Sequence, residues 1–208
     1  MKAATPVIFI VDDDVSVQKS LARLIRSAGY AVEAFGSAEE FLSRGPSIGP
    51  CCLVLDVRMP GVTGLDLQKA LAGAMHGIPI VFITGHGDVS MSVNAMKAGA
   101  VDFLTKPFEG KDLLEAIQRA VAKDARDLGT EARTGEVQKR VNLLTPRQRQ
   151  VFALVVTGML NKQIASELHI AEKTVKVHRA QVMEKMRARS VAELVRLADE
   201  VGLIVTQA

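Results

Sequence analysis

The stretch LVLDVRMPG, Leu53–Gly61, joins an apolar run to a carboxylate and a tight turn. The apolar residues leading up to Asp56 suit a fully buried strand, and Pro60 with Gly61 indicates a turn soon after it. A carboxylate at the end of a buried strand is tolerable only if a positive charge or hydrogen bonds offset its burial. The stretch therefore predicts a core strand that ends at a functional acid.

The first 122 residues repeat this alternation of short apolar runs with amphipathic helical patterns. Strands are predicted at 7–11, 31–35, 51–55, 80–83 and 101–104, and a helical pattern follows each of them. Such an alternation predicts an α/β domain with a doubly wound, five-stranded parallel sheet covered by helices on both faces.

The remainder of the chain shows helical patterns only. Four helices are predicted: the first begins at Pro146 and is broken by Gly158, and the others lie at 162–168, 172–186 and 191–200, with Asn161 capping the second and Ser190 the fourth. The short turn between the second and third helices predicts a helix-turn-helix unit. Charged residues, interrupted by Gly129 and Gly135, fill the stretch between the two patterns. We therefore expect a domain at 1–122, a charged, partly helical linker at 123–142 and an all-α, four-helix domain at 143–208.

Charge is distributed unevenly between these parts. Residues 139–189 hold 11 basic and 3 acidic side chains, whereas residues 1–122 hold 11 basic and 13 acidic ones. A basic block of this kind indicates a nucleic-acid surface, although charge alone fits a solvated helical surface equally well.

Composition also bears on where the protein works. No apolar run approaches the length of a membrane helix, and the first one, Val7–Val11, leads straight into three aspartates and so is no signal peptide. The adjacent Cys51 and Cys52 are expected as core residues rather than a disulfide or metal site. These features predict a cytoplasmic protein without a membrane partner.

Polar residues gather where the predicted strands end. They are Asp12, Asp13 and Asp14 after the first strand, Asp56 after the third, Thr84 after the fourth and Lys106 after the fifth. The carboxyl ends of parallel strands form a ligand-binding crevice, and several carboxylates there need a cation. Mg²⁺ suits them because it takes a few carboxylates together with water and phosphate oxygens.

This chemistry gives Asp56 a role as a nucleophile that takes up a phosphoryl group. Lys106 would add a second positive charge, and the Thr84 hydroxyl can donate to a phosphate oxygen. Asp14 is expected only to cap the first helix.

Residues 1–122 resemble the flavodoxin-like receiver domains of response regulators. The matching motifs are VDDD (11–14), LDVRMPG (55–61), the threonine of FITGHGD (82–88) and the KPF of DFLTKPF (102–108). Residues 143–204 resemble the LuxR-type helix-turn-helix. The whole chain is thus similar to two-component transcription factors of the FixJ/NarL type.

The resemblance implies a role for each matching residue. Asp56 would be the phosphoacceptor for a sensor histidine kinase, and Asp12, Asp13, Asp56 and the backbone carbonyl of Arg58 would hold Mg²⁺. Thr84 and Lys106 would sense the phosphate, and the Lys106-Pro107 bond would be cis. Phe103 falls at the aromatic switch position, where relatives have tyrosine or histidine, so that only burial of its ring could report the state of the site.

The resemblance also implies partners. The phosphorylated protein would form a homodimer, bind promoter DNA and regulate transcription, with RNA polymerase as a further partner. The helix 88–98 and the strand 101–104 are expected to supply the dimer face, with Met91 and Ala95 among its less buried apolar residues.

The third helix of the second domain, EKTVKVHRAQVMEKM, should read the DNA. Val175, Val182 and Met186 recur on one side and should pack inward. By resemblance, Lys176 and Val177 face bases, and the phosphate contacts are Lys162, Lys173, Thr174 and Arg179.

Two other functions fit parts of the sequence. An aspartyl-phosphate hydrolase of the haloacid-dehalogenase type also has a nucleophilic Asp after a strand, but it needs a second acid two residues on, where this chain has Arg58. A binding module with a receiver that is never phosphorylated is the other alternative, which the intact set of acids and lysine disfavours.

Overall fold

The computed structural model describes residues 5–72, 77–85 and 89–203, and these residues form two compact units that divide between 129 and 130. The division between the units falls inside the stretch that the sequence predicts as a linker. Each unit has a hydrophobic core of its own.

The first unit contains a parallel sheet of five strands in the order β2-β1-β3-β4-β5. The strands are β1 (Val7–Val11), β2 (Ala31–Phe35), β3 (Cys51–Asp56), β4 (Ile80–Thr84) and β5 (Asp102–Thr105). The predicted doubly wound sheet is confirmed. Since the strand order reverses beside β1, the carboxyl ends of β1 and β3 border the crevice where such sheets bind ligands.

Helices cover both faces of this sheet. They are α1 (Val15–Ser27), α2 (Ala38–Leu42), α3 (Gly64–Ala72), α4 (Val89–Lys97) and α5 (Gly110–Asn142). Successive strand residues point to opposite faces, so that Phe9 and Leu53 enter one core while Ile8 and Val54 enter the other. The Asp14 carboxylate caps α1 by accepting from Ser16 N at 2.7 Å, as predicted.

Helix α5 continues through the whole of the predicted linker. Gly129 and Gly135 each disfavour the helix by about 1 kcal/mol, and ion pairs one turn apart, such as Lys123–Asp127, act against this. Asp124, which belongs to a charged stretch, is buried, and its Oδ2 accepts from Cys51 N at 2.8 Å. Both cysteines are buried free thiols.

The second unit consists of the last part of α5 followed by α6 (Pro146–Val156), α7 (Asn161–Glu167), α8 (Glu172–Met186) and α9 (Val191–Glu200). Val137 and Val141 of α5 belong to its core. The prediction that Asn161 caps α7 is wrong, because Asn161 is the first helical residue. The N-cap is Leu160, whose N–H donates to Gln163 Oε1 at 2.7 Å.

The expectation for α4 needs a correction. The sequence predicts Ala95 among the less buried apolar residues, but it is fully buried because it lies on the side of α4 that packs on the sheet. The exposed apolar residues of α4 are Val89, Val93 and Met96, and Met91 is half-buried. Residue 88, the expected start of this face, lies outside the described residues.

Over the described ranges, none of the helices combines the length and apolar character that crossing a bilayer requires.

Candidate functional site

Two buried carboxylates and one lysine meet at the carboxyl ends of the strands. Asp12 follows β1 and is 1% exposed, and Asp56 ends β3 and is 6% exposed. Lys106 Nζ lies 2.9 Å from Asp12 Oδ2 and 2.9 Å from Asp56 Oδ1. The ammonium group of Lys106 thus contacts two acids that precede it in the chain by 94 and 50 positions.

The charges of these groups depend on one another. Burial raises the pKa of Asp12 above its usual value, although hydrogen bonds from Lys106 and the Asp14 N–H act in the opposite direction. Burial alone would lower the pKa of Lys106, but its hydrogen bonds to Asp56 and Asp12 outweigh burial and raise that pKa. Lys106 is therefore held as a cation between the two acids.

Backbone groups orient the same side chains. The Arg58 N–H donates to Asp56 Oδ2 at 2.7 Å, and the Asp14 N–H donates to Asp12 Oδ1 at 2.9 Å. The Lys106 N–H donates to the carbonyl of Thr84 at 2.7 Å, and the Lys106-Pro107 bond is cis, as expected. The Thr84 side chain is buried at the end of β4.

Other predicted residues lie at the edge of this cluster. Asp13 and Arg58 are exposed. Phe103 is half-buried on β5, and its ring centroid lies 6.1 Å from that of Phe82 on the neighbouring strand. Its side chain has no hydroxyl group and packs against the core on that face of the sheet.

Two residues that support the site had no signal in the sequence. Gln18 Nε2 donates to the backbone carbonyl of Asp12 at 2.7 Å and to that of Phe35 at 3.2 Å. At Gly64, the first residue of α3, a Cβ atom would lie 2.3 Å from the Asp56 carbonyl oxygen. This glycine is needed for close approach, and a lone glycine at a helix start does not reveal that in the sequence.

The arrangement of the acids decides whether they could hold Mg²⁺. In the part of the chain that the structure describes, no group of three or more His, Cys, Asp or Glu side chains is arranged to hold a metal ion. Mg²⁺, however, is usually held by only one or two carboxylates, with water and phosphate oxygens completing its shell. Asp12 and Asp56, already sharing one cation, form a donor set that fits.

The second unit presents a basic helix. Lys173, Thr174, Lys176 and Val177 of α8 are exposed, as is Lys162 of α7, while Arg179 is half-buried. Val175, Val182 and Met186 are buried, as predicted. The sequence did not reveal that Arg179 Nη1 donates to Asn161 Oδ1 at 2.9 Å, which ties α8 to the start of α7.

Comparison with known proteins matches both units. Residues 8–118 match the family model of the response regulator receiver domain, and residues 142–198 match that of bacterial regulatory proteins of the luxR family. Nodulation protein W of Bradyrhizobium diazoefficiens is 48% identical over 197 residues, which cover 95% of this chain and 87% of that protein. The transcriptional regulatory protein FixJ of Rhizobium meliloti is 47% identical over 195 residues, covering 92% of this chain and 94% of its own.

Solved structures agree with these matches. The response regulator StyR has a TM-score of 0.82 and 49% identity, covering 95% of this chain and all of its own. Full-length FixJ from B. japonicum has a TM-score of 0.58 and 42% identity, and the match covers 98% of this chain and 100% of that FixJ chain.

Fold, site and comparisons define a receiver domain joined to a DNA-binding domain. The chain belongs to the two-component response regulators of the FixJ/NarL type, whose DNA-binding domain is of the LuxR type. It is a regulator of transcription and not a conventional enzyme, and the hydrolase alternative is not favoured.

Proposed function

We propose that this response regulator accepts a phosphoryl group on Asp56 from a sensor histidine kinase. A carboxylate oxygen of Asp56 attacks the phosphorus, a new P–O bond forms, and the P–N bond to the kinase histidine breaks. The electron pair of that bond returns to the imidazole, which takes up a proton. The contact between Lys106 and both acids supports this role, because it holds an ammonium group beside the oxygen that would be phosphorylated.

We propose Asp12, Asp13, Asp56 and the backbone carbonyl of Arg58 as the groups that hold Mg²⁺. Bound there, Mg²⁺ would offset the negative charge that develops during transfer. The chain itself keeps Asp56 oriented through the Arg58 N–H and Asp12 through the Asp14 N–H.

The phosphate would be read by two side chains. Lys106 can move its hydrogen bond from the carboxylate to a phosphate oxygen, and the Thr84 hydroxyl can donate to another. Because α4 follows β4 in the chain, movement of Thr84 can alter the α4 surface. Phe103, beside Phe82 on β5, is the residue whose burial would report this change.

We propose that phosphorylation promotes pairing of two chains through α4 and β5, and that the pair binds promoter DNA. In each copy, Lys176 and Val177 would contact bases, and Lys162, Lys173, Thr174 and Arg179 would contact phosphates. One recognition helix reads only a few base pairs, so a pair of copies on a paired site supplies the specificity.

Phosphorylation can be tested directly with acetyl phosphate and Mg²⁺. We expect one acid-labile phosphate on Asp56, none at this position in Asp56→Asn, and an unchanged yield in the control Asp66→Asn, an exposed acid on α3. Peptide mass spectrometry locates the group. Equal labelling of Asp56→Asn and the wild type would refute the assignment, and no labelling at all would favour a receiver that works without phosphate.

A further inference from the structure

A cavity of about 330 Å³ lies at the end of the sheet opposite the proposed phosphorylation site. It borders Cys51, the first residue of β3, whereas Asp56 is the last residue of that strand. Most of its wall is apolar and includes side chains from three helices and the segment before β4, among them Phe41, Leu71, Ile78 and Leu128. A cavity of this volume with mainly apolar walls is typical of a small-molecule site.

An arginine at the wall is held in place by aromatic rings. The guanidinium carbon of Arg44 lies 4.0 Å from the centroid of the Phe9 ring and 4.6 Å from that of Phe41, and both phenylalanines are buried. Contact with aromatic rings still leaves the N–H edges of a guanidinium group for hydrogen bonds. Because the arginine is already positioned, a ligand would lose little free energy in ordering it.

Most N–H groups of Arg44 are unused within the described part of the chain. Nη1 donates to the carbonyl oxygen of its neighbour Gly45 at 2.8 Å, and Nε has no partner there. The same residues give Arg44 no ion pair with an acid. Burial lowers the pKa of Arg44, as expected for a partly desolvated cation. Such a cation is complementary to an anion that enters from outside the chain.

The other polar side chains at the wall carry no charge. Burial, together with Asp124, raises the pKa of the Cys51 thiol to about 12, so the thiol stays protonated at neutral pH. Ser47 contributes a hydroxyl group. Asp124 accepts from the Cys51 N–H and is not among the described residues that line the cavity. Arg44 is the one charged residue among those lining residues, so a single negative charge balances the site.

We propose that this cavity binds a small monocarboxylate with an apolar body, about the size of benzoate. The carboxylate accepts hydrogen bonds from Arg44, since a guanidinium group can donate two parallel bonds to it. The apolar body covers Leu71, Ile78 and Leu128, which are only half-buried without it. A phosphate or a sugar fits less well, because its other polar groups would meet apolar walls without hydrogen-bond partners.

The test follows the methyl NMR signals of Leu71, Ile78 and Leu128 in the full-length protein during titration with benzoate. These signals should shift and reach saturation in the wild type. Benzamide has the same shape but no charge, and it should bind about tenfold more weakly or worse, because hydrogen bonds between charged groups are the stronger ones. Absence of saturation at the solubility limit of sodium benzoate, or equal binding of the two compounds, would overturn the proposal.

A pair of variants tests the role of the arginine. Arg44→Gln should lose about tenfold or more of the affinity for benzoate, as expected when a charged hydrogen-bond donor is removed. Arg23→Gln makes the same change at an exposed position of α1 and should bind as the wild type does. Full affinity in Arg44→Gln would overturn the proposal. If that variant does not fold, the comparison of benzoate with benzamide in the wild type decides.

The proposal does not depend on phosphorylation. Since the cavity and Asp56 lie at opposite ends of β3, Asp56→Asn should bind benzoate as tightly as the wild type does. Loss of benzoate binding in Asp56→Asn would place the carboxylate beside Lys106 instead and would overturn the cavity as its site.

Discussion

The burial of Asp12 at the end of β1 has a cost in stability. Its pKa is raised by burial, so the folded protein binds the Asp12 proton more tightly than the unfolded chain does. By linkage, the burial of Asp12 does not change the free energy of unfolding below the usual carboxyl pKa. As pH rises through the raised pKa, the free energy of unfolding decreases, and at neutral pH the whole cost of burying the charged carboxylate applies.

Replacing Asp12 with asparagine should remove this penalty. We expect Asp12→Asn to raise the free energy of unfolding at pH 7, without Mg²⁺, because asparagine carries no charge to desolvate, and the gain should vanish in acid. Urea unfolding at several pH values measures it, with the exposed Asp13→Asn as a control. A variant less stable than the wild type at pH 7 would mean that the contact with Lys106 outweighs burial.

At the scale of the element, the proposed DNA contacts divide into side chains that would contact bases and side chains that would contact the phosphate backbone. Lys176 is exposed, and its Nζ lies 3.1 Å from Glu172 Oε1 one turn earlier, a weak surface pair that DNA can displace. Lys162 is exposed on α7.

Alanine at these two positions should therefore have different effects. Lys176→Ala should weaken specific binding by about 1–3 kcal/mol and blur discrimination at one position of each half-site. Lys162→Ala should weaken binding to specific and to random DNA about equally. It should also reduce the slope of log binding constant against log salt concentration by about one unit per site. Salt titrations on operator and scrambled duplexes compare them. Equal losses for Lys176→Ala on both duplexes would exclude α8 as the reading helix.

Elements with a strong hydrophobic pattern could be predicted from the sequence nearly to the residue. The apolar runs of β1 and β2 have the predicted limits, and Val175 and Val182 of α8 face inward as expected. Errors arose where a long-range partner overrides local pattern. Asp124 belongs to a charged stretch, yet Cys51, 73 positions away, gives it a buried partner.

The site likewise has features that a local pattern predicts and features that depend on distant partners. Acids and a lysine at strand ends could be predicted, because parallel strands bring their carboxyl ends together. The role of Gln18 could not, because a glutamine in an amphipathic helix suggests solvent until the carbonyls that it contacts are known. Side-chain hydrogen bonds to backbone carbonyls leave no spacing in the sequence.

At the scale of the whole molecule, residues 130–142 belong to the DNA-binding unit. Val137 and Val141 enter its core, and Arg133 forms a two-bond ion pair with Glu200 of α9. We propose that the DNA-binding domain needs this part of α5 to reach full stability.

Two fragments test the proposal. The fragment 130–208 should unfold cooperatively, and 143–208 should be less stable by about 3 kcal/mol or more, the burial energy of two valines. Thermal unfolding followed by circular dichroism measures both. Equal stability would show that the last part of α5 is dispensable for the unit.

Pairing of whole chains should depend on the exposed apolar residues of α4. Sedimentation should show a shift toward dimer after acetyl phosphate treatment in the wild type and little shift in Val93→Lys. Ile48→Lys, an equally drastic change at an exposed apolar residue in the loop before β3, is the control and should behave as the wild type. A full shift in Val93→Lys would exclude this face.

The close approach at Gly64 has a consequence for the genetic tolerance of the chain. The smallest side chain would press on the Asp56 backbone oxygen rather than on a flexible group, so no alternative residue can be accommodated without moving the acid. In a library of all single substitutions selected for signalling, position 64 should be almost as restricted as position 56. The pattern of tolerated substitutions would then give Gly64, which has no reactive group, the same appearance as a reactive residue.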